Sequence, residues 1–164
     1  MPVCDLLPCD PPFGVLAIDQ PRFITYPRGR LLAVADDAVT AERAVDALVA
    51  AGWDAAAIER LSGPAAANAF DATGAAHGPL ARVARLVQFT LMDQLPDLAW
   101  YDAAIRDGRT VLMVRARGSR ETARAGAILA AAGAHFINSY GRFQTAQILR
   151  WRGPEPAVVD RMKH

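Results

Sequence analysis

The sequence predicts an α+β domain in which one strand-helix-strand unit occurs twice and the two copies share a four-stranded antiparallel sheet. Two apolar runs, Leu31–Ala35 and Thr110–Arg115, each lead into an alanine-rich segment that stops at a glycine, Gly52 or Gly133. A single constant shift lays one segment on the other: Arg43-Ala44 on Arg124-Ala125, Leu48 on Leu129, and Ala50-Ala51-Gly52 on Ala131-Ala132-Gly133. A right-handed crossover within each copy then brings the strands into one sheet with both helices on one face.

Taken in order, residues 1–29 form a proline-rich arm (Pro2, Pro8, Pro11, Pro12, Pro21, Pro27), in which fixed backbone angles and missing donors oppose helix. The runs Phe13–Ile18 and Arg22–Tyr26 suit an edge strand or an extended arm. Cys4 and Cys9 lack the second pair of Cys or His that a tetrahedral metal site needs, so they read as reduced thiols and no metal is expected. The first copy spans residues 30–63. After its strand, Asp36-Asp37 suits a helix cap, and Ala41, Ala44, Val45, Leu48 and Val49 share one helical face. Ala57–Ser62 completes the unit as a second strand.

A helical insertion, residues 64–108, separates the copies. A short alanine segment, Pro64–Phe70, leads to a loop with His77, and Pro79 suits the first turn of a helix that presents Leu80, Val83, Ala84, Val87, Leu91 and Leu95 on one face. Asp97 suits the cap of a last helix, Leu98–Asp107, with Trp100, Tyr101 and Ile105 turned inward. The second copy spans 109–152: strand, a helix over Glu121–Ala132 capped by Ser119, a strand from His135 to Tyr140, and a strand or short helix over Phe143–Trp151. Residues 153–164 form a tail. This split βαβ arrangement is the ferredoxin-like plan, and its core should consist of shallow Ala, Val, Leu and Ile layers.

A formal charge of +1 gives no electrostatic case for nucleic acid or an anionic membrane. Without an apolar run of spanning length or a basic region before an apolar one at Met1, the chain reads as a soluble, cytoplasmic protein with no signal peptide. Walker, dinucleotide, nucleophile-elbow and zinc-protease motifs are missing from the sequence, so no cofactor is expected and catalysis has no positive support.

Two groups of residues could bind a ligand. If the insertion folds over the sheet, His77, His135 and Tyr140 converge, with Arg82 and Arg142 adding positive charge for a small anion. The turn Arg115-Ala-Arg117-Gly-Ser-Arg120 is the second, where Arg117, Ser119 and Arg120 surround a helix start suited to phosphate or carboxylate. The corresponding turn of the first copy is acidic, Asp36-Asp37, which invites a complementary contact between subunits.

The frame Leu31-Leu-Ala-Val-Ala-Asp-Asp37 with its helix and Gly52, Tyr101-Asp-Ala-Ala-Ile-Arg-Asp-Gly-Arg109 before Val111–Val114, Ile128-Leu-Ala-Ala-Ala-Gly-Ala-His135, and Tyr140-Gly141 resembles bacterial general-stress or heat-induced-stress domains of the YflT-like kind. The resemblance covers residues 30–148 and implies a small cytoplasmic domain with no established reaction. Phe143, where similar sequences carry Trp, and the proline-rich arm depart from it. The expected function is therefore a non-enzymatic, stress-associated module that binds a small anionic ligand or a protein partner and acts as a homodimer. The alternative is a small dimeric enzyme that uses His135 or His77 beside Tyr140 for acid-base chemistry.

Overall fold

The computed structural model of the chain describes residues 24, 26–70, 95–141 and 144–156. Its elements are β1 (Arg30–Ala35), α1 (Ala38–Ala50), a 3-10 turn (Ala55–Ala57), β2 (Ile58–Leu61), α2 (Gly63–Phe70), α3 (Leu95–Arg106), β3 (Thr110–Arg115), α4 (Gly118–Ala131), β4 (His135–Tyr140) and β5 (Thr145–Leu149). The architecture is α+β. The sheet is antiparallel throughout and has five strands in the order β2-β3-β1-β4-β5, one more than the sequence predicts, because Thr145–Leu149 pairs with β4 along its free edge.

Strand alternation divides the core in two. Leu31, Ala33 and Ala35 of β1 face α1 and α4, where they join Ala41, Ala44, Leu48, Leu112, Val114, Ala125, Leu129 and Ile137. Small side chains let these helices lie close to the sheet, as the alanine-rich sequence predicts. Val49 is the exception on the predicted face of α1, at 44% exposed. The opposite sheet face carries Leu32 and Val34 and is covered by α2 and α3, so helices lie on both faces. This second layer is aromatic instead of shallow: Phe70 stacks on Tyr101, which meets Phe136, which in turn meets Trp100 and Trp151. Trp100 and Tyr101 turn inward as the sequence predicts, but the partners they meet, Phe70, Phe136 and Trp151, are spread along the chain and give no periodic signal.

The C-terminal ends of α1 and α4 are built alike. In each, a glycine at positive φ follows the helix (Gly52, 96°; Gly133, 98°), and the next N–H reaches back to the carbonyl of the buried leucine, Trp53 to Leu48 and Ala134 to Leu129. The helices also hold each other's ends: Arg43 of α1 donates to the Ala132 carbonyl at 3.5 Å, and Arg124 of α4 donates to the Ala51 carbonyl at 2.7 Å. These are the residues that the internal sequence shift superposes.

The N-terminal ends differ. Asp37 caps α1, its carboxylate accepting from the Thr40 N–H at 2.6 Å. At α4 the cap position belongs to Arg117 and makes no side-chain cap bond, while Ser119, the predicted cap, lies inside the first turn. Helix α4 begins early because Gly118, at φ 72°, makes the turn and the Glu121 carboxylate reaches back to the Arg117 N–H. Asp97 likewise sits within the first turn of α3 rather than capping it.

Candidate functional site

Two ends of the sheet collect polar side chains, and they are arranged in opposite ways. At the end where β1 stops and β4 starts, His135 is 2% exposed and both its ring nitrogens are engaged. The Arg152 N–H donates to Nδ1 at 3.3 Å, so the ring proton lies on Nε2, which donates to Asp36 Oδ1 at 3.1 Å. The same carboxylate oxygen accepts from Arg109 Nε at 2.8 Å. Arg109 further donates to Asp107 at 2.8 Å and to the Pro154 carbonyl at 3.2 Å, and its guanidinium lies 5.1 Å from the Trp151 ring centre. Trp151 packs edge-on against His135 with ring centres 4.8 Å apart. This cluster ties the segment after β5 to the sheet end and is closed, with donors matched to acceptors.

Asp36 pairs with Arg109 and His135, and Asp37 caps α1, so both acidic residues have partners within the chain while staying exposed. One expectation is corrected. His135 and Tyr140 sit at opposite ends of β4, roughly 15 Å apart for a six-residue strand, and so do not converge. His77, Arg82 and Arg142 lie outside the described residues, as do Cys4, Cys9 and the helix expected from Pro79.

Tyr140 belongs to a buried polar group on the α3 side of the sheet. The Tyr101 hydroxyl lies 2.8 Å from the Phe136 carbonyl and 3.1 Å from that of Leu32, and it accepts from Asn138 Nδ2 at 3.0 Å. Asn138 Oδ1 and the Tyr140 hydroxyl are buried without a hydrogen-bond partner among the described residues. Burial raises the pKa of both tyrosines, with the nearby Asp97 carboxylate adding to the effect, and burial raises that of Asp97 itself. Both phenols stay neutral at physiological pH.

The other end of the sheet is open. A groove of about 940 Å³ runs between the first turns of α4 and the β4–β5 hairpin. Its lining includes Arg28, Arg117, Ser119 and Thr122 together with the apolar Ala123, Ala146 and Ile148. Arg30 and Arg115 also border the groove, but strand alternation turns their side chains to the opposite sheet face, where Arg30 pairs with Glu59. Among the described residues no ion pair engages Arg28 or Arg117, and both are exposed. Of the predicted anion residues, Arg117 and Ser119 therefore meet in the groove. Arg120 is exposed on α4 outside its lining. Arg28 was missed because it precedes β1 and lies far in sequence from the turn it joins.

Among the described residues, no group of His, Cys, Asp and Glu could hold a metal ion, and no helix is long and apolar enough to cross a membrane. No family model, curated protein or solved structure matches the chain.

Proposed function

We propose that the chain is a cytoplasmic, non-enzymatic, stress-associated binding module that holds a small anion in the groove at the start of α4 and works as a homodimer. The groove at the start of α4 carries the reading. Asp37 stands at the cap position of α1 and bonds its first turn, whereas α4 has an arginine at the cap position, a groove in front of it, and its carboxylate, Glu121, within the first turn and bonded to the Arg117 N–H. The helix dipole and the remaining first-turn N–H groups favour an anion there, and Arg117 and Arg28 add charge.

We read the strands β2-β3-β1-β4 with α1 and α4 as the doubled βαβ, ferredoxin-like plan, to which β5 is an addition. The reciprocal bonds of Arg43 and Arg124 support it, since an internal two-fold makes each half contact the other through equivalent residues. The stress association rests on the sequence resemblance. A homodimer is favoured by β5, Thr-Ala-Gln-Ile-Leu, which among the described residues pairs on one side only and carries no charge to discourage pairing, while the β2 edge carries Glu59 and Arg60. The enzyme reading has less to stand on, because neither nitrogen of His135 is left to take a substrate proton.

The test is a calorimetric titration of the protein with phosphate and with acetate at low ionic strength, repeated on Arg117→Ala. Loss of a charge-assisted bond should weaken binding by about tenfold or more. Equal affinity in the two proteins, or no uptake of either anion, would remove the anion reading.

A further inference from the structure

We infer that the ligand of the groove is an amphiphilic organic anion, a single carboxylate or phosphate head on an apolar body, in preference to an inorganic ion. The inference rests on the anion reading above and adds the ligand's chemical class. A volume of about 940 Å³ is far more than an inorganic anion fills. It lies near the top of the range of roughly 300–1,000 Å³ typical of pockets for whole organic molecules.

The groove lining mixes charge with apolar surface. Arg28, Arg117 and Ser119, with Ser139 and Gln144, supply its charged and polar groups, and the two arginines would take the charged head. Ala123 of α4 and Ala146 and Ile148 of β5 offer no hydrogen-bonding side chain to a ligand, and Ile148 is one of the few large apolar side chains left exposed, at 39%. Its position has a structural cause. Gly126 on α4 lacks a side chain, and a Cβ there would stand 3.0 Å from Ile148 Cδ1, so Ile148 lies flat against the helix as floor instead of projecting into the groove. An apolar chain laid along Ala123, Ala146 and Ile148 would cover that floor while its head meets the arginines.

The experiment compares acetate, octanoate and dodecanoate as probes on the full chain, followed by calorimetry and by the methyl resonance of Ile148. Affinity should rise from acetate to octanoate by about two- to fourfold per methylene buried, and octanoate, unlike acetate, should shift the Ile148 δ1 methyl. Arg117→Ala should weaken every member of the series. Ile148→Thr should flatten the dependence on chain length while leaving acetate binding in place, and the methyl shift in the unaltered protein serves if that variant does not fold. Equal affinity for acetate and octanoate, both weakened by Arg117→Ala, would overturn the amphiphile and leave the anion site standing. No binding by any member would overturn both. Uptake only on phosphatidylglycerol vesicles, with none of free octanoate, would overturn the free ligand in favour of a membrane surface.

Discussion

At their C-terminal ends α1 and α4 are held in the same way, by a glycine of positive φ, a backbone bond to a buried leucine and an arginine reaching from the other helix. At their N-terminal ends they part: Asp37 closes α1, and Arg117 leaves α4 open to a groove. Contacts at the C-terminal ends set how the helices pack on each other and on the sheet. A helix start projects beyond the core and can differ without disturbing it: α1 carries a carboxylate at its cap position, whereas α4 has Arg117 there and its carboxylate, Glu121, within the turn.

Truncating the matched leucines gives the largest effect. Leu48→Ala and Leu129→Ala, both fully buried, should each cost about 2–5 kcal/mol in denaturant melts, and a cost for one of less than half that of the other would break the equivalence of the two units. The arginine exchange comes next. Arg124→Ala should cost about 1–2 kcal/mol, because the bond is short and the guanidinium also lies 5.1 Å from the Trp53 ring centre. Arg43→Ala, with its longer bond, should cost less. Arg117→Asp would convert the second helix start into a copy of the first: α4 should gain about 1 kcal/mol from the new cap, visible as a higher melting temperature, while anion binding is lost. A variant that is stabilised and still binds would separate the cap from the site.

The smallest effect concerns pH. The Thr40 N–H holds the Asp37 carboxyl below its usual value of 3.8, so its stabilising contribution is complete above that value and fades as pH falls through the folded-state pKa. Asp37→Ala should therefore lower the melting temperature at pH 7 and make progressively less difference as acid protonates the carboxyl. Arg117→Ala removes no carboxylate, since Glu121 bonds the backbone N–H at position 117, and should show no such convergence.

Much of this contrast is legible in the sequence. The spacing of Ala41, Ala44 and Leu48, the glycines after each helix and the difference between Asp36-Asp37 and Arg115–Arg120 are local patterns, and the helices and turns they predict are present. Ser119 looked like a cap because capping is read from residue type, whereas Gly118 and the Glu121 side chain moved the helix start back. The bonds of His135 to Asp36 and Arg152, and the meeting of Arg28 with Arg117, join residues remote in sequence. No periodicity encodes them. The fifth strand was ambiguous for another reason: Thr145–Leu149 is a short edge strand with no fully buried residue, and so short a run does not separate strand from helix.

The central place of β1 also bears on how the chain is made. Arg30 pairs with Arg115 on one side and with Tyr140 on the other, so the first of these strands to leave the ribosome has no neighbour until the last part of the chain follows. At ordinary rates of translation the wait for β3 is roughly 4–16 s. Throughout it Leu31–Ala35, later the most buried stretch of the sheet, stands in water as an apolar segment with unpaired backbone groups. An apolar strand that waits this long is open to association with other chains, so starving cells of holding chaperones should lower the yield of folded protein.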